Sequence, residues 1–162
     1  MKVLKIVGSI VITLTLVGLA NAFVWPTSGT ITSVVGWRVH PVTGEWKYHY
    51  GTDIAAPTGR GVGNAGRGRV TVAGWVSGYG NAIYIDHSAY SAGWETRYAH
   101  LSAIYVRVGQ SLTSFDLTIG AVGNTGVSTG PHLHWELRKY GVAQKPNGSV
   151  GQYVTRGTFC GI

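Results

Sequence analysis

The chain has 162 residues, with 13 Lys and Arg against 6 Asp and Glu, a formal charge of +7. Only 12% of residues are charged, and the basic ones are scattered rather than gathered on one motif. This excludes a nucleic-acid-binding stripe and leaves a mild attraction for acidic polymers. A single cysteine, Cys160, excludes a disulfide framework, so the core must rest on apolar burial.

The N-terminus reads as an export signal. Lys2 and Lys5 form a positive start, Ile6 to Leu19 is almost unbroken apolar sequence, and Ala20-Asn21-Ala22 is the small-x-small pattern of a cleavage site. The apolar run falls short of the about 20 residues that span a bilayer. Cleavage after Ala22 is therefore expected, with no stable membrane anchor afterwards and a secreted or periplasmic product. Loss of Lys2 and Lys5 leaves 11 Lys and Arg against 6 Asp and Glu, or +5. Residues 23–162 are then expected to form one domain, with no second module and no inhibitory pro-segment.

Glycine is abundant, 25 residues where average usage of about 7% gives about 11. Many glycines separate short β-type runs, as in strands joined by tight turns. The predicted strands, rich in Val, Ile, Thr, Tyr and Trp, are Ile31–Val35, Arg69–Val76, Ala82–Asp86, Thr96–Leu101, Ile104–Val108 and His132–Lys139. Between the first two lie His40-Pro41, read as a structural or groove-lining turn, and His49-Tyr50-Gly51-Thr52-Asp53. Turn-type Ala56–Gly59 follows. His87 closes the third strand as a capping or surface residue, and His100 lies near the end of the fourth. Ser111–Leu117 is the one segment read as a possible helical turn. Gly126–Pro131 leads into the last strand, and residues 144–162 are expected to wrap a sheet edge, with Cys160 a tolerated terminal thiol.

Pro131-His132-Leu133-His134-Trp135-Glu136 is the most telling stretch. On a strand, His132 and His134 share a face roughly 6–7 Å apart. With His49 and Asp53, either histidine of the pair completes a set of two nitrogens and one oxygen. That is the three-ligand set of a catalytic zinc, whose fourth position stays open. Spacing alone does not choose between His132 and His134. Glu136 shares their face and reads as an orienting partner or a structural ion pair. A structural zinc is disfavoured, because such sites fill all four positions. No His-Glu-x-x-His helix is present, so a glutamate base is not indicated.

The ordered words Gly36-Trp37-Arg38-Val39-His40-Pro41, His49 to Gly59, Gly78-Tyr79-Gly80-Asn81, Ile85-Asp86-His87, Tyr98-Ala99-His100-Leu101-Ser102, Gly123 to Gly126 and Ser128 to Glu136 carry a further signal. Over about Trp25 to Lys139 the chain resembles the lysostaphin-type (LytM-like) zinc endopeptidases of bacterial peptidoglycan. The resemblance implies a mainly β fold: a compact antiparallel barrel-sandwich hybrid (duplicated hybrid motif) with a narrow active-site groove. It implies Zn2+ held by His49, Asp53 and His134, with His100 and His132 as catalytic imidazoles whose two roles it does not divide. The substrate implied is a peptidoglycan stem peptide or cross-bridge, cut by a monomer. Trp37, Trp46, Tyr48, Tyr50 and Trp135 flank these motifs and are candidates to line the groove, with glycan stacking open to one or two of them. Arg38 is a candidate to pair a substrate or a structural carboxylate. Arg60-Gly61 replaces the Thr-Pro of many relatives, a loop change bearing on specificity. The alternative, a non-catalytic wall-binding or partner-regulating module of the same type, is disfavoured because all five site residues are present.

Overall fold

The computed structural model describes residues 22–162. The signal-peptide assignment, apart from Ala22, lies outside these residues. The described chain contains strands and no helix: β1 Gly29–Ser33, β2 Gly36–Val39, β3 Trp46–His49, β4 Thr52–Ala55, β5 Gly61–Gly63, β6 Gly68–Val76 and β7 Gly80–Asp86. These are followed by β8 Trp94–Leu101, β9 Ala103–Ile104, β10 Ser111–Leu112, β11 Thr118–Ala121, β12 His132–Lys139, β13 Val142–Gln144 and β14 Tyr153–Val154. Nine strands form one sheet in the order β10-β6-β7-β8-β12-β4-β1-β14, with β13 paired to β12. A three-stranded sheet, β5-β11-β9, and a separate β2-β3 ribbon complete the architecture. Every strand pairing is antiparallel, so the fold is mainly β as expected.

The period of two in β12 divides structure from function. Leu133, Trp135 and Leu137 enter the core, where Trp135 packs on Trp25 at 5.6 Å between ring centroids. His132, His134 and Glu136, on the alternate positions, share the opposite face. Ile31, Ile54, Ile83, Ile85 and Tyr98 extend the same core from the neighbouring strands. Each fully buried Ile or Leu contributes about 1.5–3 kcal/mol, enough to hold a sheet that has no disulfide. Cys160 is buried, its thiol donating to the Phe23 carbonyl.

Three expectations need correction. Ile104–Val108 is strand only at its start. Tyr105 still bonds Ile119, but Gly109 and Gln110 bond Val70, so the segment crosses from one sheet to the other and breaks its ladder. Ser111–Leu117 is not helical: Ser111 and Leu112 pair with Arg69 and Gly68, and Leu117 then donates its N–H to the Asn64 side chain. His87 is neither a cap nor a surface residue but is almost wholly buried. The C-terminal segment does reach a sheet edge, where β14 pairs with β1.

The burial of His87 has a thermodynamic consequence. Its Nδ1–H donates to the Arg67 carbonyl at 2.7 Å, so Nε2 accepts from the Thr96 hydroxyl at 2.8 Å. Burial lowers its pKa below the ordinary 6.5, outweighing the Arg67 hydrogen bond. Below pH 6.5 the unfolded chain takes up a proton that the folded chain refuses. The His87 contribution is thus fully present above pH 6.5 and is lost as pH falls toward the folded pKa, by at most about 1.4 kcal/mol per pH unit. Urea unfolding of wild type and His87→Phe between pH 7.5 and 5 should show a steeper acid decline for wild type; parallel curves would refute this.

Candidate metal centre

β4 and β12 are hydrogen-bonded neighbours, and their register sets Asp53 directly opposite His134. Directly opposed residues share a face, so carboxylate and imidazole meet. His49 arrives from the end of β3, one tight link (Tyr50-Gly51) before β4. His49 Nε2 lies 3.2 Å from Asp53 Oδ1 and 3.1 Å from His134 Nδ1, and the last two atoms are 2.8 Å apart. All three residues are buried, and their donor atoms form a group able to hold a metal ion. Ligands at about 2.0–2.1 Å from a tetrahedral zinc lie roughly 3.3 Å from one another.

The tautomers sharpen the fit. His49 Nδ1–H donates to the Val34 carbonyl at 3.0 Å, leaving a lone pair on Nε2. His134 Nε2–H donates to Glu136 Oε1 at 3.2 Å, leaving a lone pair on Nδ1. Two lone pairs and a carboxylate oxygen therefore converge with only acceptors present, an arrangement that calls for a cation at its centre. Arg38 Nη2 donates to the second Asp53 oxygen at 3.3 Å and leaves Oδ1 for that cation. Burial opposes a charge on Asp53, but the two imidazoles against it, when they carry protons in place of a metal ion, hold its carboxyl well below the usual range. Burial likewise opposes a charge on His134, yet the Asp53 and Glu136 carboxylates raise its pKa to about 9, so a metal ion bound at Nδ1 would displace a proton from the ring.

Glu136 is fully buried beneath the site. Besides His134 it takes the Tyr79 hydroxyl at 2.6 Å, and its other oxygen lies 3.1 Å from Arg138 Nε and 4.0 Å from Arg97. The carboxylate thus joins the His134 imidazole of the cluster to a groove-lining phenol, with two guanidinium groups balancing its charge. Tyr79 carried no sequence signal beyond its place in the Gly78–Asn81 word.

His100 and His132 stand beside the three-residue cluster, 4.8 Å apart between ring centroids. His132 Nε2 lies 3.8 Å from Asp53 Oδ1, farther out than His134. Strand alternation alone misplaces His100: Ala99 is the residue opposite His134, so His100 belongs on the other face. A left-handed backbone (φ 62°) breaks the alternation and brings the ring within 5.8 Å of His134. Such strain in a non-glycine residue concentrates at functional sites. Both rings donate Nδ1–H to backbone carbonyls, His100 to Thr125 and His132 to Gly130, each at 2.8 Å, which leaves Nε2 as acceptor. Burial lowers the His100 pKa to about 4, keeping that ring neutral.

A cavity of about 430 Å³ covers all five residues and is walled by Arg38, Tyr48, Tyr50 and Tyr79. Trp135 is core instead, and Trp37 and Trp46 are exposed to solvent outside the cavity lining. His40 lines the cavity, but its Nδ1 accepts the N–H groups of Val42 and Thr43 and so fastens the ribbon turn.

Relatives match most of this chain. The chain is 45% identical over 121 residues to the DD-carboxypeptidase/endopeptidase Mpg of Neisseria meningitidis, covering 72% of this chain and 26% of that protein. It is 41% identical over 109 residues to the peptidoglycan DD-endopeptidase ShyC of Vibrio cholerae, covering 67% and 24%. The matched region thus spans about a quarter of the length of these curated relatives. A zinc-containing peptidase from Vibrio cholerae superposes with a TM-score of 0.67 at 37% identity, covering 76% of this chain and 39% of that one. The catalytic domain of lysostaphin from Staphylococcus simulans superposes with a TM-score of 0.62 at 30% identity, covering 74% and 88%. The model of peptidase family M23 matches residues 47–146, from the start of β3 past the end of β13 and through every residue of the metal cluster. By that match this chain belongs to peptidase family M23.

Proposed function

We propose that this domain is an exported zinc endopeptidase that hydrolyses peptide bonds in peptidoglycan stem peptides or cross-bridges. The observation that carries the reading is the convergence of His49 Nε2, Asp53 Oδ1 and His134 Nδ1 beside two further imidazoles whose Nδ1 atoms are held on backbone carbonyls. The donor set of two nitrogens and one oxygen suits zinc with one position left open. The chemistry supplied by a zinc ion there is polarisation of the peptide carbonyl and a lowered pKa for water.

The chain's own groups supply the rest. His100 and His132 hold unprotonated Nε2 atoms, and either can take a proton from an attacking water and return it to the departing amine. The ring that takes the proton then carries an Nε2–H, which can donate to the oxygen on which charge develops before the proton passes to the amine. Tyr48, Tyr50 and Tyr79 line the cavity as walls for an extended peptide. The names of the Mpg and ShyC relatives favour a D,D bond as the one cut.

The test is digestion of purified sacculi with mass spectrometry of the released fragments. Cross-linked dimers should become monomers, a metal chelator should stop the reaction, and zinc should restore it. No digestion by zinc-loaded protein would move the domain to the non-catalytic class, and digestion indifferent to chelation would remove the metal from the mechanism.

A further inference from the structure

We propose that the outer face of the β2-β3 ribbon is a saccharide-binding platform that takes the glycan strand to which the substrate peptide is attached. The inference rests on the peptidoglycan reading above. Alternation along the ribbon gives it two faces. Arg38 and Lys47, paired across the ladder, line the cavity from one face. Trp37, Trp46 and Tyr48 share the other, where Tyr48 also walls the cavity and the two indoles stand outside its lining at 62% and 65% exposure. The two indoles lie parallel, 8° between planes and 6.4 Å between centroids.

The rings continue into the groove. Trp37 meets Tyr48 edge-on at 5.7 Å, and Tyr48 meets Tyr50 at 5.1 Å. Tyr48 and Tyr50 are themselves cavity walls, so an aromatic track runs from the substrate cleft out along the ribbon. A ligand whose peptide occupies the cleft and whose backbone continues outward would meet this track next.

The chemistry of the face selects its occupant. Exposed aromatic rings present flat, electron-rich surfaces on which the C–H faces of pyranose rings stack. With about 150–250 Å² per aromatic side chain, and exposures between 37% and 65%, the four rings offer roughly 400 Å². A stable second copy or protein partner needs about 800 Å² from each side. A narrow polymer does not.

The experiment titrates wild type with a β-1,4-linked N-acetylglucosamine tetramer, read by tryptophan fluorescence, and compares wild type with Trp37→Ala/Trp46→Ala on two substrates. Wild-type fluorescence should change saturably, and the double variant should lose binding. On intact sacculi the variant's kcat/KM should fall about tenfold or more, the loss typical of removing stacked aromatic anchors. On a sugar-free cross-linked peptide it should stay at the wild-type value, which also reports that the ribbon is still folded. A single Trp46→Ala variant, with the Trp37–Tyr48 contact kept, should show the same selective loss to a smaller degree. Equal loss on both substrates, or no response to the tetramer, overturns the platform. So does concentration-dependent dimerisation, or partition of wild type onto anionic phospholipid vesicles that the double variant lacks. Failure of the peptidase reading is separable: the sugar-free peptide would then resist wild type while the tetramer still bound.

Discussion

His134→Ala is expected to lose both bound metal and turnover, whereas His132→Ala should keep most of the metal and lose turnover alone. The two imidazoles are two residues apart on one face of β12, so any general damage to that strand would affect both variants alike. Their positions differ in one respect. His134 Nδ1 is within 3.1 Å of both other donor atoms, while His132 Nε2 approaches only Asp53, at 3.8 Å. Removing His134 deletes a ligand and also strands Glu136, which is fully buried. Metal affinity should then fall by more than the about 10–100-fold that loss of an orienting partner costs. Removing His132 deletes a proton carrier, a change worth about 10²–10⁴ in rate. Zinc content by elemental analysis after dialysis, alongside turnover on sacculi, separates the two. A His132→Ala protein that came through dialysis without zinc would exchange the proposed roles of the pair.

The sequence was most legible where chemistry and strand period coincide. Leu133, Trp135 and Leu137 against His132, His134 and Glu136 is a period of two, readable without any partner strand. The flanking segments were harder to read. β3 and β4 are short and separated only by Tyr50-Gly51, so neither is among the predicted strands. β5, β10, β13 and β14 have two or three residues each and exist because a partner strand is present, a fact that no local pattern carries. His100 reaches the site through a left-handed residue that breaks the very alternation by which faces are read. His87 looked like a surface residue because its partners, the Arg67 carbonyl and Thr96, lie 20 and 9 residues away. Trp37 and Trp46 were candidates for the groove because they flank the motifs, yet of the aromatic residues on their ribbon face Tyr48 reaches the cavity and the two indoles stand outside its lining. In each case the missing information was which strand lies next to which.

Gly51→Ala is expected to disable metal binding although it adds a single methyl group. The Gly51 backbone does not lie in the left-handed region that favours glycine, so alanine is conformationally permitted there. Space is the obstacle. A Cβ at residue 51 would fall 2.7 and 2.8 Å from Cε1 and Nε2 of the His134 ring, and 2.8 Å from the Trp135 carbonyl oxygen. Carbon contacts settle at about 3.5–4.0 Å, so something must move. The carbonyl belongs to the β12 ladder, whose Trp135 is paired with Thr52, and moving it would open the sheet at the site. The ring is the softer element, but its Nε2–H is fixed on Glu136 and its Nδ1 must stay within about 0.2 Å of a ligating position. Zinc affinity should fall about 10–100-fold or more, as when an orienting bond is lost. Overpacking should also cost about 1–3 kcal/mol of stability. Gly130→Ala is the matched control: an added Cβ there meets nothing within 4 Å, while the Gly130 carbonyl still receives the His132 proton. Competition with a fluorescent zinc chelator measures both variants. A Gly51→Ala protein binding zinc as wild type does would mean that the His134 ring has slack, and that Glu136 does not hold it in place.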